Sequence, residues 1–399
     1  MRILFLYVNP IDPHKGGIQR VTSVLSHYFL SQGHEVYFLS TMIGGTKNEN
    51  GNQFYLPNSN DVVCDLNIQY FKDFVGKRCI DIVINQSGMD PKISKLAYYT
   101  KETNAKLISC IHNSLLSQIE YFEATYEFSA RKYHLSFLLP LTKLKFIKNF
   151  LFFLYRLKYT NHYTNLSNWS DKIVLLSMSF REDLKFFIKS NSYVKEKIIA
   201  ISNPTSFSEM TYDIGRYRGS KQLLYVGRID RRQKRVDLLL DIWEKLHNRY
   251  VDWSLKVVGG GADLHLLIDD AKKRNLRNIS FEGFKDPVPY YLNSSIFCMT
   301  SSYEGFGIVL AEAMSFGLVP VAFKSYSSVT DIIDNDDNGF LVTPFNLEEY
   351  ALKLSDLMDS FDLRFKIGEN AKLKSRQFSV EVIGETWNKF FREITSQHF

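Results

Sequence analysis

The chain opens on a run that is apolar at every position, Ile3-Leu4-Phe5-Leu6-Tyr7-Val8, followed by a loop with Gly16-Gly17, a periodic helical stretch from Ile18 to Leu30, Gly33, and a second strand-like run from Glu35 to Leu39. A strand without polar alternation must be buried on both faces, and that restricts it to a parallel sheet covered by helices on both sides. Gly33 supplies the left-handed residue that ends the helix, and the resulting β-α-β unit is expected to be right-handed. Further strand cores are predicted at Ile80 to Ile84, Lys106 to Ile111 and Lys172 to Leu176. The pattern pauses at Ser202-Asn203-Pro204, and the polar stretch from Ser206 to Ser220, with Arg216-Tyr217-Arg218, reads as a linker. A second series then starts: strands at Gln222 to Val226, Ser254 to Val258, Ile279 to Glu282, Ile296 to Met299 and Val319 to Phe323, with helices at Val236 to His247, Ala262 to Arg274 and Gly307 to Phe316.

The fold class expected is therefore α/β, two doubly wound Rossmann-like domains whose strand-end loops face each other across a cleft. The boundaries are 1–204 for an amino-terminal domain and 205–379 for a carboxyl-terminal one. A last helix lies within 380–399, where Trp387, Phe390 and Phe391 need an apolar surface and can fold back on the amino-terminal domain. A length of 399 residues suits two such domains, and 45% hydrophobic with 23% charged residues excludes a disordered chain. Cys64, Cys79, Cys110 and Cys298 have no C-x-x-C spacing, and Cys79 and Cys298 adjoin apolar runs, so reduced and mostly buried thiols are expected. The first ten residues are too short for a signal-peptide core, and no apolar window of spanning length occurs, which together predict a cytoplasmic protein.

Charge is distributed unevenly. Between Phe128 and Ser170 there are seven basic residues (Arg131, Lys132, Lys143, Lys145, Lys148, Arg156, Lys158) and no acidic one, against a net charge of +6 for the whole chain. The same segment holds eleven aromatic residues, including Phe146, Phe150, Phe152, Phe153 and Tyr155. Such a segment can lie on an anionic bilayer, or can be a helix whose Phe and Leu pack inward while its lysines are solvated. Nucleic acid is not an expected partner.

The most informative stretch is Glu304-Gly305-Phe306-Gly307-Ile308-Val309-Leu310-Ala311-Glu312, placed after a strand and at the start of a helix that Gly317 ends. Gly305 and Gly307 let a ligand approach the backbone, and the first amides of the helix, at Gly307, Ile308 and Val309, form an anion site suited to a diphosphate. Glu304 precedes that site and Glu312 follows it by about 7–8 Å along the helix axis. Upstream, Arg228 at a strand end and Lys234 six residues later supply two cations that can neutralise a departing diphosphate. Gly259-Gly260-Gly261 offers either a second close approach or a tight turn. Asp334-Asn335-Asp336-Asp337 contains a D-x-D pattern, but it precedes the turn signal Asn338-Gly339, and no metal is expected to be required.

These residues resemble the retaining glycosyltransferases of the GT-B fold, family four of the sequence classification, a group that includes bacterial transferases of cell-surface polysaccharide synthesis such as capsule or lipopolysaccharide. The resemblance is carried by Val226-Gly227-Arg228, Lys234, Gly259 to Gly261, Phe281 to Phe284, the pair Glu304 and Glu312, Gly317 to Val321 and Asn338 to Val342. In the amino-terminal half it is confined to Gly16-Gly17 and to Ile111-His112-Asn113; 41–105 and 114–170 carry none of it. It implies that Arg228 and Lys234 bind the diphosphate of a UDP- or GDP-linked sugar and that Glu304 binds the sugar hydroxyls. It further implies that Glu312 binds the ribose, that Gly305, Phe306, Gly307, Ile308 and Val309 cradle the phosphates, and that Gly283 and Phe284 flank the base. Gly16 and Gly17 would admit phosphates or acceptor, and His112 would lie near the transferring centre. The stretch Lys324 to Asp331 departs from the family's glycine-rich turn and Glu.

The expected function is transfer of a sugar, with retention, to a saccharide or polyprenyl-linked acceptor, without a cofactor, by a protein that can sit peripherally on the inner face of the cytoplasmic membrane. A non-catalytic nucleotide-sugar-binding protein is the alternative. A dinucleotide-dependent oxidoreductase is disfavoured because Asn9 to Gly17 lacks G-x-G-x-x-G.

Overall fold

The computed structural model describes residues 1–42, 52–116, 119, 144–189, 195–207 and 220–396. The chain forms two compact units, one of Met1–Leu115, Phe152–Ser206 and Phe378–Phe399, the other of Leu116–Leu151 and Phe207–Gln377.

The first unit holds a seven-stranded, wholly parallel sheet: β1 (Arg2–Tyr7), β2 (Glu35–Ser40), β3 (Gln53–Tyr55), β4 (Ile82–Asn85), β5 (Lys106–Ile111), β6 (Lys172–Leu175) and β7 (Ile198–Ala200), in the order β3-β2-β1-β4-β5-β6-β7. Ile3, Leu4, Leu6, Ile82, Val83, Ile84, Ile108 and Ile111 are fully enclosed, as two-sided burial of apolar runs requires. Chain order reverses between β1 and β4, so the loops that follow those strands leave a crevice at their carboxyl ends. Gly33, at φ 79°, ends the Gly17–Ser31 helix. The Val380–Ser396 helix belongs to this unit and lies on the Gly17–Ser31 helix, with Phe391 5.2 Å from Phe29 between ring centres. A Cβ at Gly384 would stand 2.3 Å from the Tyr28 ring, so the contact needs a glycine.

The thiols differ from expectation. Cys110 and Cys298 are buried, in β5 and in a strand of the second unit, and burial pushes the Cys298 thiol up to about 12. Cys79 is exposed, because it turns the chain between the Asp65–Lys77 helix and β4 at φ 48° and the apolar strand begins only after it.

The second unit holds a six-stranded parallel sheet: β8 (Gln222–Val226), β9 (Ser254–Val258), β10 (Ile279–Gly283), β11 (Ile296–Met299), β12 (Val319–Phe323) and β13 (Phe340–Val342), ordered β10-β9-β8-β11-β12-β13. Here the order reverses between β8 and β11. The Val236–Leu246 and Leu347–Asp359 helices pack on one another, and Trp243, Trp253 and Tyr350 fill the core between helices and sheet. The polar linker residues 208–219, including Arg216-Tyr217-Arg218, lie outside the described residues, as do Arg131, Lys132 and Lys143. Among the described residues no helix is long and apolar enough to cross a membrane.

Candidate functional site

In the second unit the loops after β8 and β11 leave adjacent strands at the reversal of chain order, and side chains 70 residues apart meet there. Lys234 Nζ stands 2.6 Å from Glu304 Oε1, with the two side chains only 16% and 8% exposed. The loops are stitched together by backbone: Ser302 N–H donates to the Gln233 carbonyl at 2.7 Å, Thr300 Oγ1 donates to the Lys234 carbonyl at 3.1 Å, and Gln233 Nε2 donates to the Tyr303 carbonyl at 3.1 Å. Asp230 shapes the turn by accepting the amides of Arg232 and Gln233, and Arg235, left-handed at φ 49°, hands the chain to the next helix. Arg228 reaches out from this turn: its guanidinium donates to Gln233 Oε1 at 2.8 Å, lies 3.4 Å from Asp230 Oδ2 and is more than half exposed. One buried cation and one accessible cation therefore stand on the same loop.

Gly307, at φ 87°, caps the Ile308–Ser315 helix, and a Cβ there would meet the Tyr326 hydroxyl at 2.9 Å. The first amides of that helix have no intrahelical acceptor, so their positive end opens next to Glu304 in sequence and space. Glu304 also acts on its neighbours: the Tyr225 and Tyr326 hydroxyls are held well above the ordinary tyrosine range, first by burial and then by the Glu304 charge. Ser301 and Ser302 place buried hydroxyls with no hydrogen-bond partner beside this pair.

The structure gives the other expected residues distinct placements. Gly259 and Gly261 are demanded by the neighbouring loop, since a Cβ would fall 1.8 Å from the Gly227 carbonyl oxygen and 2.1 Å from that of Ile229. Phe284 follows β10 at the same end of the sheet and is 78% exposed, after Gly283 at φ 73°. Glu312 is fully buried, and its carboxylate accepts from the Tyr291 hydroxyl at 3.3 Å. In the acidic tetrad Asp334 pairs with Lys374 and Asp336 with Lys353, while Asp337 accepts from Asn370. Among the described residues no group of three metal-ligating side chains is present. Asp230, Gln233 and Tyr291 escaped the sequence reading because their roles are to hold neighbours; a polar turn at a strand end was the only signal for the first two.

The first unit carries its own crevice. Tyr7, Asn9, Asp12, Lys15, Gly16, Gly17 and Gln19 line a cavity of about 450 Å³ beyond β1. Gly16 enters the helix at φ 152°, Gln19 donates to the Pro10 carbonyl, and a Cβ on Gly17 would meet nothing within 4 Å. Asp12 is held below the usual carboxylate range, chiefly by the amide of His14 and further by Lys15. His112, after β5, is outside that lining. Its Nε2 lies 2.5 Å from Gln86 Oε1; the amide oxygen can only accept, so Nε2 donates and Nδ1 is left as a buried acceptor with no partner. Burial pushes this imidazole down to about 4, so it is neutral at physiological pH.

The chain has relatives among known proteins. Residues 208–374 match the family of glycosyl transferases, group 1. An uncharacterized glycosyltransferase of Haemophilus influenzae is 32% identical over 219 residues, 54% of this chain and 60% of that protein. The amylovoran biosynthesis glycosyltransferase AmsD of Erwinia amylovora is 30% identical over 222 residues, 55% and 61%. A Campylobacter jejuni N-acetylgalactosaminyltransferase named for a diphospho-undecaprenol-linked acceptor is 24% identical over 201 residues, 50% and 55%. The chain thus spans about three-fifths of the length of the curated relatives it matches. Among solved structures, the lipopolysaccharide outer core galactosyltransferase WaaB superposes with a TM-score of 0.69 at 18% identity, over 98% of this chain and 100% of that one. Anabaena Alr3699/HepE in complex with UDP gives 0.72 at 16%, over 98% and 100%. These likenesses establish the fold, α/β with two parallel-sheet Rossmann-like domains of the GT-B type.

Proposed function

We propose that this chain, whose residues 208–374 carry a group 1 glycosyl transferase domain, transfers a sugar from a UDP- or GDP-linked donor to a saccharide or polyprenyl-linked saccharide during bacterial surface polysaccharide synthesis. The observation that carries this reading is the Lys234–Glu304 pair. Two ions withdrawn from water cost several kcal/mol each and are poorly repaid by their mutual attraction, so a buried pair at the reversal point of a parallel sheet is better explained by chemistry than by stability.

In this reading the donor diphosphate lies against the amides at Gly307 to Val309, with Phe306 and Gly305 in the loop ahead of them. Lys234 and Arg228 take up its charge. As the bond between the anomeric carbon and the diphosphate oxygen breaks, its electron pair stays on the oxygen and adds one negative charge to the two the diphosphate already carries, and the two cations and the helix terminus take up that charge. Glu304, released from Lys234, accepts from the sugar hydroxyls. The acceptor oxygen forms the new bond to the anomeric carbon and its proton departs with the diphosphate. Glu312 is assigned to the ribose, which requires the Tyr291 hydroxyl to give up its carboxylate. Gly16, Gly17 and the cavity beyond β1 are assigned to the acceptor side, and His112 Nδ1 offers a neutral acceptor to a substrate hydroxyl. Retention enters through the resemblance, because no residue spacing encodes stereochemistry. The chain works at the inner face of the cytoplasmic membrane, where a polyprenyl-linked acceptor is presented.

The test is a panel of UDP- and GDP-sugars, each assayed for protection against thermal unfolding and for slow hydrolysis. At least one donor is expected to do both, and to lose both in Arg228→Ala. Protection without turnover, with any acceptor, would leave a binding protein; no protection by any nucleotide-sugar would remove the donor site altogether.

A further inference from the structure

Gln86 and His112 meet as a polar pair just beyond the carboxyl ends of β4 and β5. Gln86 is buried, and its backbone N–H donates to the Leu6 carbonyl of β1 at 2.9 Å. Two residues on, the Gly88 N–H donates to the Cys110 carbonyl of β5 at 3.2 Å, and a Cβ on Gly88 would stand 2.5 Å from that oxygen. His162 of the Lys145–Trp169 helix adds a third tie, its Nε2 donating to the Gly88 carbonyl at 3.0 Å. The turn after β4 is thereby fastened to both neighbours of that strand, and it carries the Gln86 amide to the His112 ring.

The partner is an amide, and that choice has chemical content. A histidine that takes up a proton is often oriented by a carboxylate, which stabilises the imidazolium that forms. Here the ring faces a neutral oxygen. Burial alone shifts its proton affinity, and no charged side chain among the described residues adds to it. The carboxylate that reaches the following loop, Asp183 of the Arg181–Phe187 helix, accepts from the Ser114 hydroxyl at 2.7 Å instead. An amide oxygen fixes which ring nitrogen carries the proton without inviting a second one. Nδ1 is then a buried acceptor that meets no donor among the described residues, and a buried polar atom in that position calls for an explanation.

We infer that Gln86 is a positioning residue: its amide oxygen holds His112 as the neutral Nε2–H tautomer, so that Nδ1 accepts a hydrogen bond from a substrate hydroxyl and does not take its proton. This rests on the acceptor-side role proposed for His112, but the hold itself can be read without substrate. In the full chain with isotopically labelled histidine ring nitrogens, and with His112→Asn to identify the signals, magnetic resonance should show Nε2 protonated and Nδ1 bare at neutral pH. A proton on Nδ1 would overturn the inference, whether or not any variant folds. Gln86→Glu sets a carboxylate on the same nitrogen and should raise the pH at which His112 titrates by about 1–3 pH units. An unmoved titration would show that residue 86 does not hold the ring. Activity follows with a definite sign. A protonated Nδ1 donates and cannot accept, so in Gln86→Glu kcat should climb with pH as the ring gives up its proton, a limb that the wild type lacks over the same range. Gln86→Met removes the hydrogen bond at similar volume and should lower kcat about 10–100-fold, as loss of an orienting partner does, with donor protection unchanged. Above its titration, Gln86→Glu should regain most of that loss. A pair that served stability alone would lower the melting temperature in both variants and leave kcat and its pH dependence as in the wild type, which would sink the inference. If the wild type transferred sugar to no acceptor, the enzymatic reading would fall, and the ring signals would still decide whether Gln86 sets the tautomer.

Discussion

The two units follow one rule of construction and fill its product differently. Each is a parallel sheet whose chain order reverses once, between β1 and β4 in the first and between β8 and β11 in the second, and each opens a crevice there. In the second unit an ion pair and an exposed arginine occupy the crevice. In the first unit the crevice is a cavity lined by Gly16, Gly17 and the Asp12–Lys15 pair, and β5, two strands from β1, ends on a histidine kept neutral by burial. The fold thus fixes where a ligand goes, while loop residues decide the charge it meets. The second-unit crevice keeps an exposed arginine beside its ion pair, whereas in the first the one lysine of the lining is matched by Asp12, a contrast that fits the donor and acceptor roles proposed for them.

The strongest test of this contrast removes the charge. Lys234→Ala or Glu304→Gln should lower transfer by about 10²–10³-fold, as loss of a preorganised charge does. Lys234→Ala should also destabilise by about 3–5 kcal/mol, since it strands a buried carboxylate. Lys234→Met combined with Glu304→Gln should recover the stability and none of the activity, read from thermal unfolding and turnover on the same preparations. If the double variant stayed active, the charged crevice would have no catalytic meaning. Next in size, His112→Ala should reduce transfer by about 10–100-fold while leaving protection by the donor intact, because its role is assigned to the acceptor side. Titration sharpens this. With the folded imidazole at about 4, below its usual 6.5, the unfolded chain binds the extra proton. His112 thus favours the fold above about pH 6.5, and that contribution falls progressively as pH drops toward 4. The wild type should therefore lose more melting temperature than His112→Asn between pH 7 and pH 4.5; parallel losses would show that the ring protonates freely.

Smaller effects follow for Glu312 and for metals. Glu312→Ala should weaken nucleotide binding about tenfold or more and change turnover at saturation little, measured by calorimetry against KM and kcat. A variant that merely melts earlier with unchanged affinity would assign Glu312 to packing against Tyr291. Chelation should change nothing, because Arg228, Lys234 and a helix terminus already answer the diphosphate charge; restoration by magnesium of activity lost to EDTA would contradict that.

What the sequence made legible follows from how burial writes itself into it. β1, β5, β8, β9, β11 and β12 are long enough, and apolar enough on both faces, to be read within a residue or so. β3, β7 and β13 are three residues each, too short for any period to show. Glu304 and Lys234 could each be singled out from strand-end positions and glycine neighbours, but their 2.6 Å approach depends on β8 lying beside β11, which no local pattern contains. Cys79 misled because proximity to an apolar run says nothing of the turn that precedes it. The Lys145–Trp169 helix was ambiguous for a physical reason: with rings on opposite faces, its packed and exposed sides look alike in sequence until Phe186 and Phe187 pick one of them.

The Val380–Ser396 helix brings in a matter of timing. Gly384 presses on Tyr28 and Phe391 on Phe29, so the unit that holds β1 is closed by a helix that follows the second unit in sequence. A growing chain emerges from the ribosome in order, so Phe29 can meet Phe5 and His34 early, while the side that Phe391 covers waits until the second unit has been made. Each unit is therefore assembled from separate stretches of chain, the first from three and the second from Leu116–Leu151 and Phe207–Gln377. A chain cut before Val380 would leave an unsealed apolar seam on the Gly17–Ser31 helix, which makes the Val380–Ser396 helix a condition for closing the first unit.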